Sequence, residues 1–575
     1  MLRRFLLLFV PLALGACVTS PAPADPAQVQ RPVTSASPGT GVVSAADPRA
    51  AEAGAAMLRR GGSAADAAIA TMLALTVVEP QSSGIGGGGF LLHHSADGTI
   101  EALDGRETAP AAAAPDWFLG QDGRPLPFMD AVLSGLSVGV PSNIRLAAEA
   151  HAAHGALPWA DLFAPAIALA RDGFIITERF REFLERAPNR AAADPQGRAL
   201  FYDSAGEPLP VGTRVRNPQL AQTLERLARH GAEWFYSGEH AEAIATRVAA
   251  ETPRAGMTIA DLTSYAVKER PPVCGEYRGY RICGMGPPSS GATTVYAILK
   301  QLERFDLAAL GPQSAQFWHL FAESQRLAFA DRERYLADSD HISVPVAGLM
   351  DPDYLVARGA LIDPDRRMAA VAPGRPAGVA MVWPDGDEPR DSGTSHFVTV
   401  DRAGNAVTYT STIEGSFGSG IMVGGYYLNN ELTDFSFAPE VDGRPVANRV
   451  EGGKRPRSSM APTLVYDAQD QLVLAIGAAG GSTIPVQVAR ALVGVIDFSL
   501  PLGEAMALPV LFSPGDTITI EQGSALEAMV PSLQAMGHSG ITARALPLKI
   551  NGAQRTSAGW VGAADPRSEG AAVRE

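Results

Sequence analysis

The sequence contains little cysteine, no cluster of positive charge and no recognisable metal-binding pattern. There are three cysteines among 575 residues, the formal net charge is −14, and lysine and arginine never form a run. Because a nucleic-acid-binding surface needs concentrated basic residues to neutralise phosphates, we predict no nucleic-acid partner. The ten histidines lack metal-ligand spacings such as H-E-x-x-H, and no G-K-[ST] motif occurs. We therefore predict no metal site and no phosphate-binding loop.

Two glycine motifs match known signatures but lack the structural context that those signatures need. Residues 84–89 match the dinucleotide-binding pattern G-x-G-x-x-G, yet a strand follows where that motif requires a helix. Residues 135–139, GLSVG, match the nucleophile elbow of α/β-hydrolases, which requires a helix directly after the serine. The apolar stretch there ends at Pro141 instead. His93 and His94 are neighbours on a predicted strand, so they point to opposite faces and do not share a metal.

The first residues have the character of a bacterial export signal. Two arginines precede an apolar stretch from Phe5 to Leu14, which is too short to span a bilayer. LGAC then resembles a lipobox, which predicts a lipoprotein signal peptide at 1–16 and lipidation of Cys17; the alternative is an ordinary signal with an incidental cysteine. Residues 17–40 are predicted to be a flexible tether. By resemblance to bacterial lipoproteins, Val18 favours a periplasmic protein anchored to the outer membrane.

The other two cysteines lie in a predicted hairpin, PPVCGEYRGYRICGMGPP. With Arg278 and Gly279 as a two-residue turn, the fourth pair of residues counted from the turn is Cys274 with Cys283. That pair is not hydrogen-bonded, and its Cα atoms approach to about 4.5 Å, within reach of a disulfide. An exported protein is in an oxidising compartment. We predict a disulfide; two buried thiols are the alternative.

Hydrophobic periodicity predicts helices and strands mixed along the chain, with no internal repeat. Two alanine-rich helices are predicted within 47–77, separated by two glycines, and residues 142–250 are predicted to be mostly helical. Residues 371–393 have no periodicity and many helix breakers, which predicts an exposed linker. After Gly393 the pattern changes to strands, beginning with SHFVTV and AVTYTST around DRAGN. The fold class is therefore α+β.

The segment after the linker is predicted to be a hairpin that brings two threonines together. Residues 402–404 fit a three-residue loop in which Gly404 takes the left-handed conformation. Counting outward from that loop places Thr394 directly opposite Thr412. A bulge would shift this register by one residue. Threonine pairs also occur across strands as plain structure, so the pair alone does not define a site.

Thr394 follows the linker directly, and this position suggests a specific chemistry. If the Gly393–Thr394 bond were cut, the α-amine of Thr394 could act as the base for its own hydroxyl. Such a nucleophile needs no separate serine, histidine and aspartate set. Thr412 would be placed to hydrogen-bond the new amine. Ser395 and His396 are predicted to have supporting or structural roles, with Ser395 on the opposite face of the strand.

Several segments together resemble the γ-glutamyltranspeptidase family, also called glutathione hydrolases. TSHFVTVDRAGNAVTYTSTIEGSFGSG resembles the family's processing site, and LNNELTDFS, GKRPRSSMAPT and GAAGGS resemble its later signatures. SSGIGGGGFLL, LDGRETAPAAA, PPSSG and AESQRLAFADR resemble its large-subunit segments. The resemblance covers roughly residues 40–565. It implies the four-layer αββα N-terminal-nucleophile fold, built from a precursor that cuts itself into a large subunit, 41–393, and a small subunit, 394–575.

The resemblance also implies roles for individual residues. Thr394 becomes the nucleophile, and Gly480 and Gly481 supply backbone N–H groups to an oxyanion hole, where glycine leaves the approach unobstructed. The residues implied to bind the substrate's α-carboxylate are Arg106, Ser458 and Ser459. The residue implied to bind the α-ammonium is Asp434, and Glu431 lies three positions before it. Glu414 occupies a position that holds Asn or Glu in family members. Without the motif, Arg106 would be interpreted as part of a structural ion pair.

The implied reaction is attack of Thr394 on the γ-glutamyl carbonyl of glutathione or a related amide. The γ-glutamyl ester on Thr394 is then taken by water or by an acceptor amino acid or dipeptide. No metal and no organic cofactor are implied. The two subunits would remain together as a heterodimer, and the lipid anchor would be the only contact with a membrane.

Two other functions remain open from the sequence. A cephalosporin or glutaryl-amide acylase of the same family would bind an acyl group without an α-ammonium, which would leave a buried Asp434 unpaired at considerable cost. A non-catalytic envelope lipoprotein would remain one uncut chain. In addition, nineteen residues separate Asp434 from Lys454, where some relatives carry a longer lid over the pocket. The balance between hydrolysis and transfer therefore stays open.

Overall fold

The structure is a computed structural model that describes residues 40–254, 256–386 and 393–575. The predicted signal peptide, Cys17 and the tether up to residue 39 lie outside the described residues. Two antiparallel sheets pack face to face, and helices cover the outer face of each sheet. This is the α+β, four-layer αββα arrangement that the sequence implied.

The first sheet contains both strands of the threonine hairpin. Its seven strands are, in spatial order, Ala571–Arg574, Val42–Ala45, Gly393–Val400, Ala406–Glu414, Gly88–His94, Ile100–Gly105 and Lys268–Arg270. The central hairpin pairs Thr394 with Thr412, so the predicted register is confirmed. Its loop ends at Gly404, whose φ of 94° is the left-handed conformation that glycine adopts without steric cost.

The second sheet carries the predicted disulfide at its edge. Its six strands are, in spatial order, Gly559–Ala564, Lys549–Thr556, Leu472–Ala479, Thr463–Tyr466, Tyr280–Gly284 and Val273–Tyr277. The edge hairpin turns at Arg278 and Gly279, which both have positive φ, as a two-residue type I′ turn requires. Cys274 lies opposite Cys283 and is bonded to it, which confirms the predicted bridge.

Strands from before and after Gly393 pair with each other in both sheets. The strand Gly393–Val400 lies between Val42–Ala45, from the first part of the chain, and Ala406–Glu414, from the second. In the second sheet, Thr463–Tyr466 pairs with Tyr280–Gly284 in the same way. A cut at Gly393 would therefore leave two chains joined by backbone hydrogen bonds within each sheet. The disulfide lies within one of these chains and does not link them.

Helices form the two outer layers. The helices over the first sheet are Pro48–Arg59, Ala64–Val78, Asn143–His154, Ala164–Asp172, Glu178–Arg186, Pro218–His230 and Gly238–Ala250. The helices over the second sheet are Gly291–Leu302, Ala315–Tyr335, Pro352–Gly359, Ile484–Ile496, Leu502–Ala507 and Leu526–Ala535. In the described part of the chain, no helix combines the length and apolar character that crossing a membrane requires.

Short elements connect these layers. The short helices are Phe128–Val132, Pro188–Ala191, Pro195–Phe201, Glu233–Tyr236, Ile259–Ser264, Leu307–Leu310 and Val346–Leu349, with 3-10 turns at Gly135–Ser137, Trp159–Phe163, Glu431–Asp434 and Gly481–Thr483. The short strands are Phe174–Ile175, Arg214–Val215, Met422–Val423, Tyr426–Tyr427, Glu440–Val441, Arg444–Pro445, Leu511–Phe512, Ile518–Glu521 and Ile541–Arg544. Ser137 donates a hydrogen bond to the Val132 carbonyl within such a turn, so GLSVG forms no nucleophile elbow.

The helix Ala64–Val78 is buried on every side. It begins with a capping box, in which Ser63 and Asp66 each accept a hydrogen bond from the other's backbone N–H. Its alanines permit close packing against Pro48–Arg59, and the pair confirms the two alanine-rich helices predicted within 47–77. The helix ends at Glu79, next to the strand Gly393–Val400.

Candidate active site

Alternation along the strand Gly393–Val400 separates its side chains as predicted. Val398 and Val400 belong to the core between the sheets, while Phe397 packs towards the helices, which is also the side of Ser395. His396 lies between the sheets against Gly477, where a Cβ atom on that glycine would be 2.3 Å from the imidazole ring. Burial lowers the pKa of His396 to about 3, so the ring is neutral and structural near neutral pH.

Thr394 and Thr412 form a hydrogen-bonded pair at the end of the hairpin. Their hydroxyl oxygens are 3.2 Å apart, and both side chains are buried. The Thr412 hydroxyl donates to the Gly393 carbonyl at 2.8 Å, and its oxygen accepts the Glu414 backbone N–H at 2.8 Å. Because its hydrogen is used on Gly393, Thr412 can only accept from Thr394. The Thr394 hydroxyl is therefore the donor within the pair.

A bulge after Thr412 produces this geometry. The register shifts between Thr412 and Glu414, so that Gly393 lies opposite Glu414, whose φ is 70°. The shift moves the Gly393 carbonyl over the Thr412 hydroxyl. A bulge thus occurs in the hairpin, but it lies beyond the threonine pair and leaves their register as predicted.

The threonine pair opens onto a cavity of about 210 Å³ that most of the predicted site residues share. The predicted residues that line it are Thr394, Thr412, Arg106, Glu414, Glu431, Asp434, Ser458, Ser459 and Gly481. They come from segments more than 300 positions apart in the sequence. The packing of the two sheets therefore assembles one site from the motifs that the sequence analysis singled out separately.

Arg106 lies at the centre of the charged side of the cavity. Its guanidinium pairs with Glu431 and Asp434, and its Nε and Nη2 donate to the carbonyls of Pro456 and Arg457 at 3.2 and 3.1 Å. The buried guanidinium is thus held in one orientation by four partners. From the sequence, Arg106 is interpreted either as a carboxylate-binding residue or as part of a structural ion pair. The geometry agrees with both, because Arg106 forms a buried ion pair and also faces the cavity.

Three carboxylates give this side of the cavity its negative character. Ligand oxygens of Glu414, Glu431 and Asp434 all lie within 4.8 Å of one another, a spacing that suits a cation. Arg106 already takes up an oxygen of Glu431 and an oxygen of Asp434. This arrangement favours a hydrogen-bond-donating organic ammonium over a metal ion, which needs several open oxygen ligands.

Ser458 and Ser459 also line the cavity, and the oxygen of each hydroxyl accepts a hydrogen bond from the protein. Ser458 Oγ accepts from the Met460 backbone N–H at 3.2 Å, and Ser459 Oγ accepts from Arg332 Nη2 at 2.7 Å. A serine hydroxyl that accepts a bond from the protein in this way can still donate its own hydrogen to a ligand carboxylate. No sequence motif assigns a role to Arg332. It lies 127 positions from Ser459, and no spacing rule connects them.

Gly480 and Gly481 form a turn that only glycine accommodates well. Their φ values are 126° and 58°, and a Cβ atom on Gly480 would lie 2.5 Å from the Pro547 carbonyl oxygen. The Thr483 hydroxyl donates to the Gly480 carbonyl at 2.8 Å and closes the turn. Gly481 lines the cavity, so this turn presents backbone to the space beside Thr394.

Glu107 is a buried carboxyl beside Arg106 that the sequence analysis did not identify. Among the described residues, neither of its carboxyl oxygens has a hydrogen-bond partner. Burial raises the pKa of Glu107 to about 8, and the opposing effect of Arg106 is smaller. The group is therefore mostly protonated near neutral pH in the folded protein.

The raised pKa of Glu107 predicts a stability effect that depends on pH. The folded state keeps a proton that the unfolded state releases between about pH 4.5 and 8, so this group's contribution falls as pH rises through that window. The free energy of unfolding of Glu107→Gln, measured relative to the parent at the same pH, should rise by about 1–3 kcal/mol from pH 5 to pH 8. Denaturant unfolding of both proteins at each pH measures this difference. Parallel pH dependences would contradict the prediction.

These features define an enzyme of the N-terminal-nucleophile hydrolase class, with helices enclosing two sheets and a threonine at the start of a central strand. The family model for γ-glutamyltranspeptidase matches residues 50–574. The chain belongs to the γ-glutamyltranspeptidase family.

Curated relatives agree with this assignment. The chain is 35% identical over 553 residues to a glutathione hydrolase proenzyme of Bacillus subtilis (strain 168), covering 93% of this chain and 91% of the relative. It is 35% identical over 547 residues to a glutathione hydrolase proenzyme of Escherichia coli (strain K12), covering 92% and 90%. An acylase ACY 1 proenzyme of Pseudomonas sp. (strain V22) is 34% identical, with coverage of 91% of both chains.

Solved structures show the same fold. A cephalosporin acylase from Bacillus halodurans superposes with a TM-score of 0.82 at 27% identity, covering 97% of this chain and 99% of the acylase. A γ-glutamyltranspeptidase of Helicobacter pylori superposes with a TM-score of 0.56 at 36% identity, covering 61% of this chain and 99% of that one.

Proposed function

We propose that the protein cuts its own chain between Gly393 and Thr394 and then hydrolyses or transfers γ-glutamyl groups, with glutathione as a representative donor. The observation that carries this proposal is the Thr412 hydroxyl, which contacts both the Gly393 carbonyl and the Thr394 hydroxyl beside a charged cavity. Membership of the family supports it, because the relatives include proteins named glutathione hydrolase proenzyme.

The first step is the cut. Thr394 Oγ attacks the Gly393 carbonyl carbon, the C–N bond to Thr394 breaks, and the hydroxyl proton passes to the released nitrogen. The Thr412 hydroxyl, 2.8 Å from the Gly393 oxygen, stabilises the negative charge that develops there. Water then hydrolyses the resulting ester. The products are a Gly393 carboxylate and a Thr394 that carries a free amine.

The second step is attack on the substrate. The α-amine of Thr394 takes the proton of its own hydroxyl, and the hydroxyl oxygen attacks the γ-carbonyl carbon. The turn at Gly480 and Gly481 provides backbone N–H groups for the oxyanion. Cysteinylglycine or another amine leaves with a proton. Water or an acceptor amino acid or dipeptide then takes the γ-glutamyl group from Thr394.

The cavity suits the two charges of a γ-glutamyl group. Arg106 and the hydroxyls of Ser458 and Ser459 provide donors for the α-carboxylate, and Arg332 orients Ser459. Asp434 and Glu414, on the same side of the cavity as Arg106, provide acceptors for the α-ammonium. A donor bound in this way places its γ-carbonyl towards Thr394.

An acylase that prefers glutaryl or cephalosporin side chains is the second candidate. The relatives named acylase ACY 1 proenzyme and the solved cephalosporin acylase favour it. A glutaryl group differs from a γ-glutamyl group by lacking the α-ammonium. It would leave the carboxylates at Glu414 and Asp434 facing an uncharged substrate carbon, at a cost in desolvation.

Two chromogenic substrates distinguish the candidates. We expect kcat/KM for γ-glutamyl-p-nitroanilide to exceed that for glutaryl-p-nitroanilide by about 10- to 100-fold, the value of one charge-assisted hydrogen bond or ion pair. Asp434→Asn should reduce the ratio of the two kcat/KM values, because asparagine has nearly the shape of aspartate but no negative charge for the α-ammonium. A faster reaction with the glutaryl substrate would assign the acylase activity instead.

We also propose that the two products remain together as a heterodimer in the periplasm, held to the outer membrane by a lipid on Cys17. Strand pairing between the two products in both sheets supports the heterodimer, and the sequence at 1–17 supports the anchor. Replacing residues 1–17 by an ordinary cleavable signal peptide without a lipobox should move the protein from the membrane fraction to the soluble periplasmic fraction. Unchanged fractionation would contradict the anchor.

A further inference from the structure

A buried ion pair lies directly behind the catalytic strand, on the face opposite the cavity. Lys549 Nζ is 2.9 Å from Glu79 Oε2, and both side chains are almost fully buried. The same carboxylate oxygen accepts the Ser395 hydroxyl at 2.6 Å. Ser395 directly follows Thr394, so the ion pair is attached to the strand one residue from the proposed nucleophile.

Glu79 occupies a position at which the helix dipole disfavours a carboxylate. It caps the C-terminal end of the helix Ala64–Val78, where the helix dipole is negative and a carboxylate is destabilising. Burial raises the pKa of Glu79, but the charges of Lys549 and Arg179 and the hydrogen bonds from Ser395 and Lys549 together outweigh burial, so the pKa lies below its ordinary value. The carboxylate is therefore charged at neutral pH and depends on Lys549 for compensation.

Lys549 also contacts the segment that supports the second strand of the hairpin. Its Nζ lies 3.2 Å from Ser82 Oγ, and the Ser82 carbonyl accepts the Ile413 backbone N–H at 3.3 Å. Ile413 is the bulged residue directly after Thr412. One ammonium group thus holds side chains that lie behind both threonines.

The backbone of Lys549 connects to the glycine turn. Its N–H donates to Gln487 Oε1 at 3.3 Å, and Gln487 Nε2 donates to the Ala479 carbonyl at 2.7 Å and to Thr483 Oγ1 at 3.0 Å. Thr483 in turn donates to the Gly480 carbonyl. Gln487 is fully buried, so these bonds are protected from water.

We propose that Lys549 and Glu79 are positioning residues that hold the Thr394 strand and the Gly480–Gly481 turn in a fixed relation to each other. This inference rests on the proposed function, because it assigns the nucleophile to one element and the oxyanion donors to the other. Lys549 is one residue that reaches both, through its side chain and through its backbone. Glu79 comes from the chain segment before the cut and Lys549 from the segment after it, so the pair also joins the two products.

The test compares Glu79→Gln, Lys549→Met and the double variant with the wild type. In each single variant we expect self-cleavage to slow, and kcat of the cut enzyme for γ-glutamyl-p-nitroanilide to fall about tenfold or more, because small displacements of reacting groups are costly. KM should stay within about twofold, since neither residue lines the cavity.

The double variant separates positioning from stability. It removes both buried charges, so Tm should recover towards the wild-type value, while kcat should stay low because the ammonium that contacts Ser395 and Ser82 is lost. Recovery of kcat together with Tm would overturn the proposal, as would single variants that lose only Tm. If the single variants fail to fold, the double variant alone decides between these outcomes.

Asp497→Asn provides a matched control. Asp497 is also a buried carboxylate that binds a cation and a hydroxyl, with Arg278 Nε at 3.0 Å and Tyr277 Oη at 2.7 Å, but it lies at the far edge of the second sheet. It should lower Tm and leave kcat unchanged; an equal loss of kcat in this control would overturn the proposal. A wild type that neither cuts itself nor turns over would refute the proposed function as well. Because cutting needs no added substrate, a wrong substrate class would leave the cleavage measurement intact.

Discussion

Thr394→Ala should remain one uncut chain and should lose activity by about 10⁴-fold or more, as expected when a nucleophile is removed. The variant lacks the oxygen that attacks the Gly393 carbonyl, and it also lacks the oxygen that would attack the substrate. Denaturing electrophoresis and intact mass measure the cut, and release of p-nitroaniline measures turnover. The fold should persist, because the side chain contributes one hydrogen bond to Thr412.

Thr394→Ser is the matched control for this prediction. It keeps the hydroxyl and, after cutting, the amine, so it should still cut itself and turn over, with the smaller fragment beginning at residue 394. Cleavage of Thr394→Ala after Gly393 would show that another group attacks the peptide bond. The Ser395 hydroxyl does not replace it, since it is directed to Glu79 on the other face of the strand.

Thr412→Val should slow self-cleavage by about 100- to 1000-fold, the effect of losing one oxyanion donor. Valine has nearly the shape of threonine but cannot donate to the Gly393 carbonyl or accept the Glu414 N–H. The time course of fragment formation in purified precursor measures the rate.

Thr410→Val is the control for Thr412→Val, because Thr410 lies on the same strand as Thr412 and faces the same side of the sheet. Thr410 contacts His396 rather than the bond to be cut, with its hydroxyl oxygen 2.8 Å from His396 Nδ1. It should cost stability and leave the cleavage rate close to that of the wild type. Equal rates in Thr412→Val and the wild type would remove Thr412 from the mechanism.

Much of the fold followed from local sequence patterns. The hairpin register at Thr394 and Thr412 follows from a three-residue loop and strict alternation, and the disulfide follows from a two-residue turn. Both predictions succeed because backbone geometry converts a loop length directly into a pairing. The alanine-rich helices, and residues 371–386 in which the structure has no helix or strand, also follow from local patterns.

The cavity itself was predictable only in part. The motifs identified Arg106, Asp434 and the two serines one by one, and the structure places them around one space. Arg332 and Glu107 were missed. Arg332 acts on a serine that is distant in sequence, and the burial of Glu107 depends on residues packed around it from other segments.

The sequence by itself determined which bond is proposed for the cut, which two threonines face each other in the hairpin, and which charged residues carry the family's motifs, because these depend on neighbouring residues and turn lengths. The tertiary structure alone decided that Lys549 meets Glu79 behind Ser395, and that Arg332 meets Ser459 beside the cavity. Contacts between residues more than a hundred positions apart arise from the packing of whole sheets and helices, and no local pattern encodes which side chains that packing brings within hydrogen-bond distance.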